Sequence, residues 1–352
     1  MKIWMPNDII KLFRSNKTKT SLFRDEEKNL VPKAQRLKRG QSNVRAWETK
    51  DLPGIGKHYG FLLPPKQTKT ISIYTPKGGV LKSTFAFNLA RMLAINNIKV
   101  LVIGLDVQCT ITHNLCTGKE EEISSLDQIN EKLGLYEIAV NSKVKNSEIE
   151  KIILPTDLPT LHYIPESSNL NFLEQRIRDE HKREFTLTRL IEPIKANYDV
   201  IIFDNSPNWN FLIQNSLVAA TDVISPIACD IETFRSLTQN IEMIDEFKAK
   251  MDLHWANFIL IPTKVARTKL STQIEAEYRR SFADFITAGS IRDAVVGQES
   301  SLEQLSVIEC VPKSPLADDY YEVVIDIWKR INSDTKVKEK NTQEKESLAT
   351  EA

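Results

Sequence analysis

The sequence predicts an α/β chain built on a doubly wound, mostly parallel sheet, with a small basic module in front of it. Three observations carry that expectation. From residue 70 onward, apolar runs of strand length alternate with segments of helical periodicity, the pattern of a parallel sheet covered on both faces. A loop rich in glycine and lysine, "PKGGVLKST" (76–84), joins the first such run to the first long helical segment. Charge is also divided: residues 1–70 hold 16 Lys and Arg against 6 Asp and Glu, a net of +10. In a chain with 47 of each, the remainder is therefore −10.

The elements follow in order. "TISIYT" (70–75), "KVLVIGL" (99–105), "YDVIIFD" (198–204), "TDVISPI" (221–227) and "WANFILIP" (255–262) read as strands, the first four as continuous apolar runs of the buried parallel kind. Helices are expected over 82–96, with Phe85, Leu89, Met92 and Leu93 on one face, and over 185–197, 231–250 and 271–285. Ser314-Pro315 opens a last helix, the hydroxyl as N-cap and the proline at the first helical position, with Leu316, Tyr320, Val324, Ile327 and Ile331 as its buried face. "LLPPKQTKT" (62–70) reads as a linker. The expected units are 1–66, 67–332 and a disordered polar tail, 333–352; the polar stretch 119–150 has no clear pattern.

Composition narrows the class. The chain has 352 residues, 41% of them hydrophobic, enough for a full core. It has no run of eighteen apolar residues and no secretory leader, so a cytoplasmic protein without a membrane span is expected. Four cysteines form no C-x-x-C pair and five histidines show no ligand spacing, which argues against a structural metal.

The loop 76–84 raises a chemical question. The phosphate-binding pattern is G-x-x-x-x-G-K-S/T, and aligned on Lys82 and Ser83 its glycines fall on Pro76 and Leu81. The context is nevertheless right: strand, loop, helix N-terminus and lysine. Gly78 and Gly79 leave the backbone free to wrap phosphates, Lys82 is placed for the β and γ phosphates, Ser83 for magnesium and Thr84 for the α phosphate. Leucine is compatible with position 81 if that residue takes a helical φ with its Cβ turned away. Asp106 and Asp204 end two buried strands, where an open parallel sheet places its ligands, and with Ser83 they suffice for magnesium.

"KGGVLKST" resembles the deviant Walker A motif, K-G-G-x-x-K-S/T-T, of the ParA/MinD ATPases, and the resemblance extends over 70–331. It implies a P-loop ATPase fold, ATP/ADP and Mg²⁺ as cofactors, and a nucleotide-sandwiched homodimer. Lys77 matches the signature lysine that reaches phosphate across that dimer. The nucleotide-binding set is then Lys77, Gly78, Gly79, Val80, Leu81, Lys82, Ser83 and Thr84. Catalysis is implied for Lys77, Lys82 and Asp106, and the metal site for Ser83, Asp106 and Asp204. "LVIGLDVQCT" (101–110) is similar to switch I, usually D-x-D-P-Q, with Gly104 in place of the first acid and Val107 in place of the proline. Slow hydrolysis is implied, weaker still for want of that acid. "YDVIIFDNSP" (198–207) is similar to the Walker B strand and switch II.

The basic module resembles a MerR-type winged helix-turn-helix: a short helix, a turn at Ser15-Asn16, a second helix near 18–28, a β-ribbon around Arg39-Gly40, and a further element from "TKDLPGIG". Arg24, Glu27, Leu30, Pro32, Arg36, Arg45, Trp47, Asp51 and Leu52 fall near that pattern's spacing. It implies a major-groove helix with Lys17, Lys19 and Thr20 near DNA, and a wing bringing Arg36, Lys38, Arg39 and Arg45 to phosphates. Non-specific DNA contacts are implied for "KVARTK" (264–269), Arg279, Arg280 and Arg292, with Lys264 and Arg267 alternatively near the adenine. The resemblance implies a DNA partner, a ParB-like protein that stimulates hydrolysis, nucleoid association, autorepression of the operon and segregation of a replicon. The alternative is a transcription regulator switched by nucleotide with negligible hydrolysis. A MinD-like membrane role is disfavoured, because 333–352 holds no amphipathic helix.

Overall fold

The computed structural model describes residues 2–40, 42–116, 134–139 and 146–333. All but the first residue of the expected disordered tail, and most of the unpatterned stretch 119–150, lie outside them. The strands are β1 (Ile3–Trp4), β2 (Gln35–Arg39), β3 (Ser42–Glu48), β4 (Lys69–Ile73), β5 (Val100–Leu105), β6 (Leu154–Pro155), β7 (Leu161–Ile164), β8 (Val200–Asn205), β9 (Asp222–Ala228) and β10 (Asn257–Thr263). The α-helices of six residues or more are α1 (Pro6–Leu12), α2 (Lys19–Glu27), α3 (Leu52–Tyr59), α4 (Lys82–Ile95), α5 (Thr110–Leu115), α6 (Leu170–Arg178), α7 (Thr186–Ile191), α8 (Phe211–Ala219), α9 (Ile231–Lys250), α10 (Lys269–Ser281), α11 (Val296–Leu302) and α12 (Pro315–Asn332).

Seven strands form one sheet in the order β10-β9-β4-β8-β5-β7-β6, every pair parallel except β6 with β7. The expected strands are present with ends shifted by a residue or two. β5 shows why its sequence is a continuous apolar run: Val100 and Val102 enter the core on one face of the sheet, Leu101, Ile103 and Leu105 the core on the other. Alternation persists in three dimensions but is invisible in one. The β6–β7 pair was not anticipated, since neither strand exceeds four residues.

α4 differs from the expected amphipathic helix. From Phe85 to Ile95 every residue is buried, because α4 is enclosed by the sheet on one side and by α12 and the N-terminal module on the other. Its one arginine, Arg91, is completely buried and forks between Glu309 (2.6 Å) and Asp157 (2.8 Å). α12 begins as its sequence indicates: Ser314 Oγ accepts the Ala317 N–H at 3.1 Å, Pro315 follows, and the five predicted face residues are buried.

The N-terminal module contains α1, α2, α3 and a small antiparallel sheet ordered β1-β3-β2. It does not hang from a flexible linker. Trp4, Ile9, Leu12 and Phe13 share one core with Tyr320, Tyr321 and Trp328 of α12. The Asn96 carboxamide oxygen, at the end of α4, accepts the N–H groups of Phe61 (2.7 Å) and Leu62 (3.1 Å). The indole N–H of Trp328 donates to the Leu63 carbonyl at 2.8 Å, so the start of the Pro-rich stretch is strapped to α12.

Candidate nucleotide and magnesium site

β4 delivers the chain to residues 74–81, and α4 begins at Lys82. Two neighbouring strands hold this loop. The Thr75 hydroxyl donates to the Pro226 carbonyl on β9 at 2.7 Å, and the Thr263 hydroxyl of β10 donates to the Val80 carbonyl at 3.0 Å. The N-terminus of α4 therefore opens at the C-terminal edge of the sheet, where backbone N–H groups suit an anion. A 480 Å³ cavity lies there, lined by Gly78, Gly79 and residues 81–84 of the loop. Asp106 and Gln108 close it from the loop after β5, and Ser206 and Pro207 from the loop after β8.

Leu81 corrects the sequence expectation. Its φ is +69° and ψ 28°, left-handed rather than helical, and Gly79 two residues earlier has φ +73°. The loop makes the turn that the consensus glycine would make, and leucine adopts it at a cost on the order of 1–2 kcal/mol. Compensation comes from packing, since the half-buried Leu81 side chain lies against the main core. Val80 is buried and does not line the cavity.

Lys82 is only 6% exposed, and its Nζ donates to the Lys77 carbonyl at 2.7 Å. Burial lowers its ammonium pKa, while the charges of Asp204 and Asp106 oppose that shift. Asp204, near the end of β8, is fully buried. Among the described residues neither of its carboxylate oxygens has a settled hydrogen-bond partner. Burial pushes its carboxyl up to about 7, Asp106 adds to this, and the Ser83 hydroxyl and Lys82 ammonium oppose it. Two orphaned carboxylate oxygens beside a serine hydroxyl are an unmet demand for a cation. Magnesium fits them: it takes one or two carboxylates and keeps most of its waters. No cluster of three His, Cys, Asp or Glu exists among the described residues to suit a metal that needs a closed protein cage. Asp106 is half-buried on the cavity wall, where its Oδ1 accepts the Gln108 N–H at 3.0 Å and fixes the turn after β5.

Lys77 does not line the cavity. Its Nζ meets Glu232 Oε2, in the first turn of α9, at 2.6 Å, and that bond raises its pKa. Sequence reasoning missed Glu166, two residues past the end of β7, which fills the space beside Gly104. The signal was a glycine where an acid was expected and a glutamate 62 positions later, and only the β5–β7 pairing brings them together.

The expected DNA-contacting residues separate into two groups. Lys19 and Thr20 are exposed in the first turn of α2, Lys17 is exposed just before it, and Lys38 and Arg36 are exposed on β2. Arg39 closes β2 opposite Ser42 at the tip of the ribbon. Lys17 also reaches Asp25 at 3.3 Å, and Arg36 reaches Glu26 at 3.4 Å. Two of the expected residues are held in ion pairs. Arg45 is 22% exposed and lies between Glu26 (2.5 Å) and Glu27 (3.2 Å) over the Phe23 ring, where it ties β3 to α2. Arg292 forks onto Asp319 at 2.6 and 2.7 Å. With Leu81, Thr84 and Lys264 it lines a cavity of 870 Å³ next to the phosphate loop. Both guanidiniums are engaged by carboxylates of the chain itself. Arg279 and Arg280 pair with Glu275 and Glu277 along α10.

A family model described as an AAA domain matches residues 68–257. The chromosome partitioning protein ParA of Myxococcus xanthus is 30% identical over 216 residues, 61% of this chain and 71% of that one. A plasmid partition protein from Borrelia burgdorferi, solved bound to AMPPNP, matches with a TM-score of 0.59 at 23% identity, over 75% of this chain and 100% of that one. Cobyrinic acid a,c-diamide synthase from Mycobacterium smegmatis, solved with an ATP analogue and magnesium, matches with a TM-score of 0.59 at 22% identity, over 76% and 96%. Those two likenesses speak for the fold alone, and they show it serving a synthase as well as a partition protein. The family match over more than half the chain and the identity to ParA place this protein among the ParA-type members of the AAA domain family.

Proposed function

We propose that this protein is a magnesium-dependent ATPase of the partition type, working as an ATP-sandwiched dimer on DNA with a ParB-like partner that stimulates slow hydrolysis. The observation that carries the reading is Asp204: a fully buried carboxylate with orphaned oxygens, beside Ser83 and Lys82, under a glycine-containing loop at a helix N-terminus. Residues 78–84 would bind the phosphates. Ser83, Asp106 and Asp204 would hold magnesium, which supplies charge neutralisation for the phosphates when bound. Lys82 would add its charge from a buried position, where a charge acts more strongly than in bulk water. The second cavity, lined by Leu81, Thr84, Lys264 and Arg292, would take the base.

In the N-terminal module, the order of α1, α2 and the β2–β3 ribbon supports a winged helix-turn-helix reading. Lys19, Thr20, Lys38 and Arg36 supply its exposed contacts, with Lys17 beside them and Arg39 at the ribbon tip. Specific binding through this module would serve autorepression, and non-specific binding would belong to the ATPase body. No described helix is long and apolar enough to cross a membrane.

Phosphate release with MgATP, with and without duplex DNA and a ParB-like protein, tests the enzyme reading. Turnover that is slow alone and rises several-fold with both supports it; absence of turnover under every condition favours the nucleotide-switched regulator. Gel shifts at stated salt test the module, and equal affinity for the protein's own promoter and for random DNA would remove the repressor role.

A further inference from the structure

Gly104 on β5 is in register with Asp204 on β8, so a side chain at 104 would stand beside the Asp204 carboxyl. That space is taken. A Cβ on residue 104 would lie 2.1 Å from Cγ and 2.7 Å from Oε1 of Glu166. Glu166 lies two residues past the end of β7 and is completely buried. Its Oε1 accepts the Asp106 N–H at 3.3 Å and its Oε2 the Thr112 N–H at 3.2 Å, while its own N–H donates to the Thr112 hydroxyl at 2.8 Å. One residue thus fastens both ends of the turn that carries Asp106. A carboxyl is costly to bury, and packing alone would be met more cheaply by a small apolar residue. Glu166 completes no set of three ligands with the other acids of the site, so its geometry is that of a support.

We propose that Glu166 is a positioning residue: from the loop after β7 it supplies the carboxyl that position 104 lacks, and it holds Asp106 in place for the magnesium-bound nucleotide. The inference rests on the reading of this cavity as a magnesium–nucleotide site. Residues that orient metal ligands from behind contribute to metal affinity without touching the metal. Gly104 is then one half of a matched pair, and its lack of a carboxyl is no loss to the site.

The test is titration of the full-length protein with a fluorescent ATP analogue, once with magnesium and once with EDTA. Glu166→Ala is expected to weaken binding in magnesium by about tenfold or more, with the EDTA affinity unchanged. Adding Gly104→Asp to that variant returns a carboxyl to the same space and is expected to restore most of the loss. Gly104→Asp alone meets Glu166 and is expected to lower the melting temperature. Should Glu166→Ala not fold, Glu166→Gln keeps the shape with a weaker acceptor and is expected to lose about threefold in magnesium. Unchanged magnesium affinity in the folded Glu166 variants, or a double variant no better than Glu166→Ala, overturns the proposal. Wild-type protein that shows no magnesium-dependent binding overturns the site reading itself, and is seen before any variant is made.

Discussion

The ammonium of Lys82 donates to the backbone carbonyl of Lys77 across the mouth of the loop, 2.7 Å away. The bond stations the buried charge under residues 78 and 79, within the acid-lined end of the cavity. A phosphate oxygen is a stronger acceptor than a carbonyl, because both partners are then charged. Lys82→Ala is expected to lower ATP turnover by about a hundredfold or more while leaving the circular dichroism spectrum intact. Phosphate release measures the first and the spectrum checks the second.

Lys77 is engaged elsewhere, on the exposed carboxylate of Glu232. An exposed pair of this kind contributes about 0–1 kcal/mol, so Glu232→Gln is expected to leave urea unfolding almost unchanged. Lys77→Ala is expected to abolish the ATP-dependent dimer proposed above, with monomer stability equally unaffected. Light scattering with MgATP reads the assembly state of both variants.

Asp204 gives the metal-free protein a pH dependence of definite sign. Its folded pKa, about 7, lies above the ordinary aspartate value of 3.8, so the folded state binds the proton more tightly. That contribution to stability is fully present below the unfolded pKa and is lost as pH rises through about 7. In EDTA, the melting temperature is expected to fall between pH 5 and pH 8. The fall should be smaller in Asp204→Asn, which has nothing to titrate.

Arg91 and Glu309 form an ion pair with both side chains completely buried. The pair locks α4, the helix that starts at the phosphate loop, to the segment just before α12. Arg91→Ala would leave the Glu309 carboxylate uncompensated and is expected to cost about 3–5 kcal/mol in urea unfolding. Arg91→Met with Glu309→Leu and Asp157→Asn, which removes all three charges of the fork and nearly keeps volume, is expected to cost much less.

Much of this was legible in the sequence, for stated reasons. β4, β5, β8 and β9 announce themselves because a strand buried on both faces must be apolar throughout. The N-cap Ser314 and Pro315 announce α12. Asp106, Asp204, Ser83 and Lys82 were legible because the loop, the strand ends and the helix start are all local features. Leu81 was read wrongly, since a residue's φ depends on the turn around it and leucine rarely adopts the left-handed region. The ion pairs of Arg45 and Arg292 were not legible, because their acidic partners, Glu26 and Asp319, are 19 and 27 positions away. Glu166 was invisible for the same reason: its partner position, Gly104, is a neighbour only through the sheet.

The central claim is that a phosphate loop lacking both consensus glycines is a working magnesium–nucleotide site. Calorimetric titration of ATP into the full-length protein tests it most directly, in magnesium and in EDTA, for wild type and for Asp204→Ala. Stoichiometric binding that is clearly weaker in EDTA and largely lost in Asp204→Ala is the expected result. No heat of binding at millimolar ATP in magnesium, from protein shown to be folded, would contradict it.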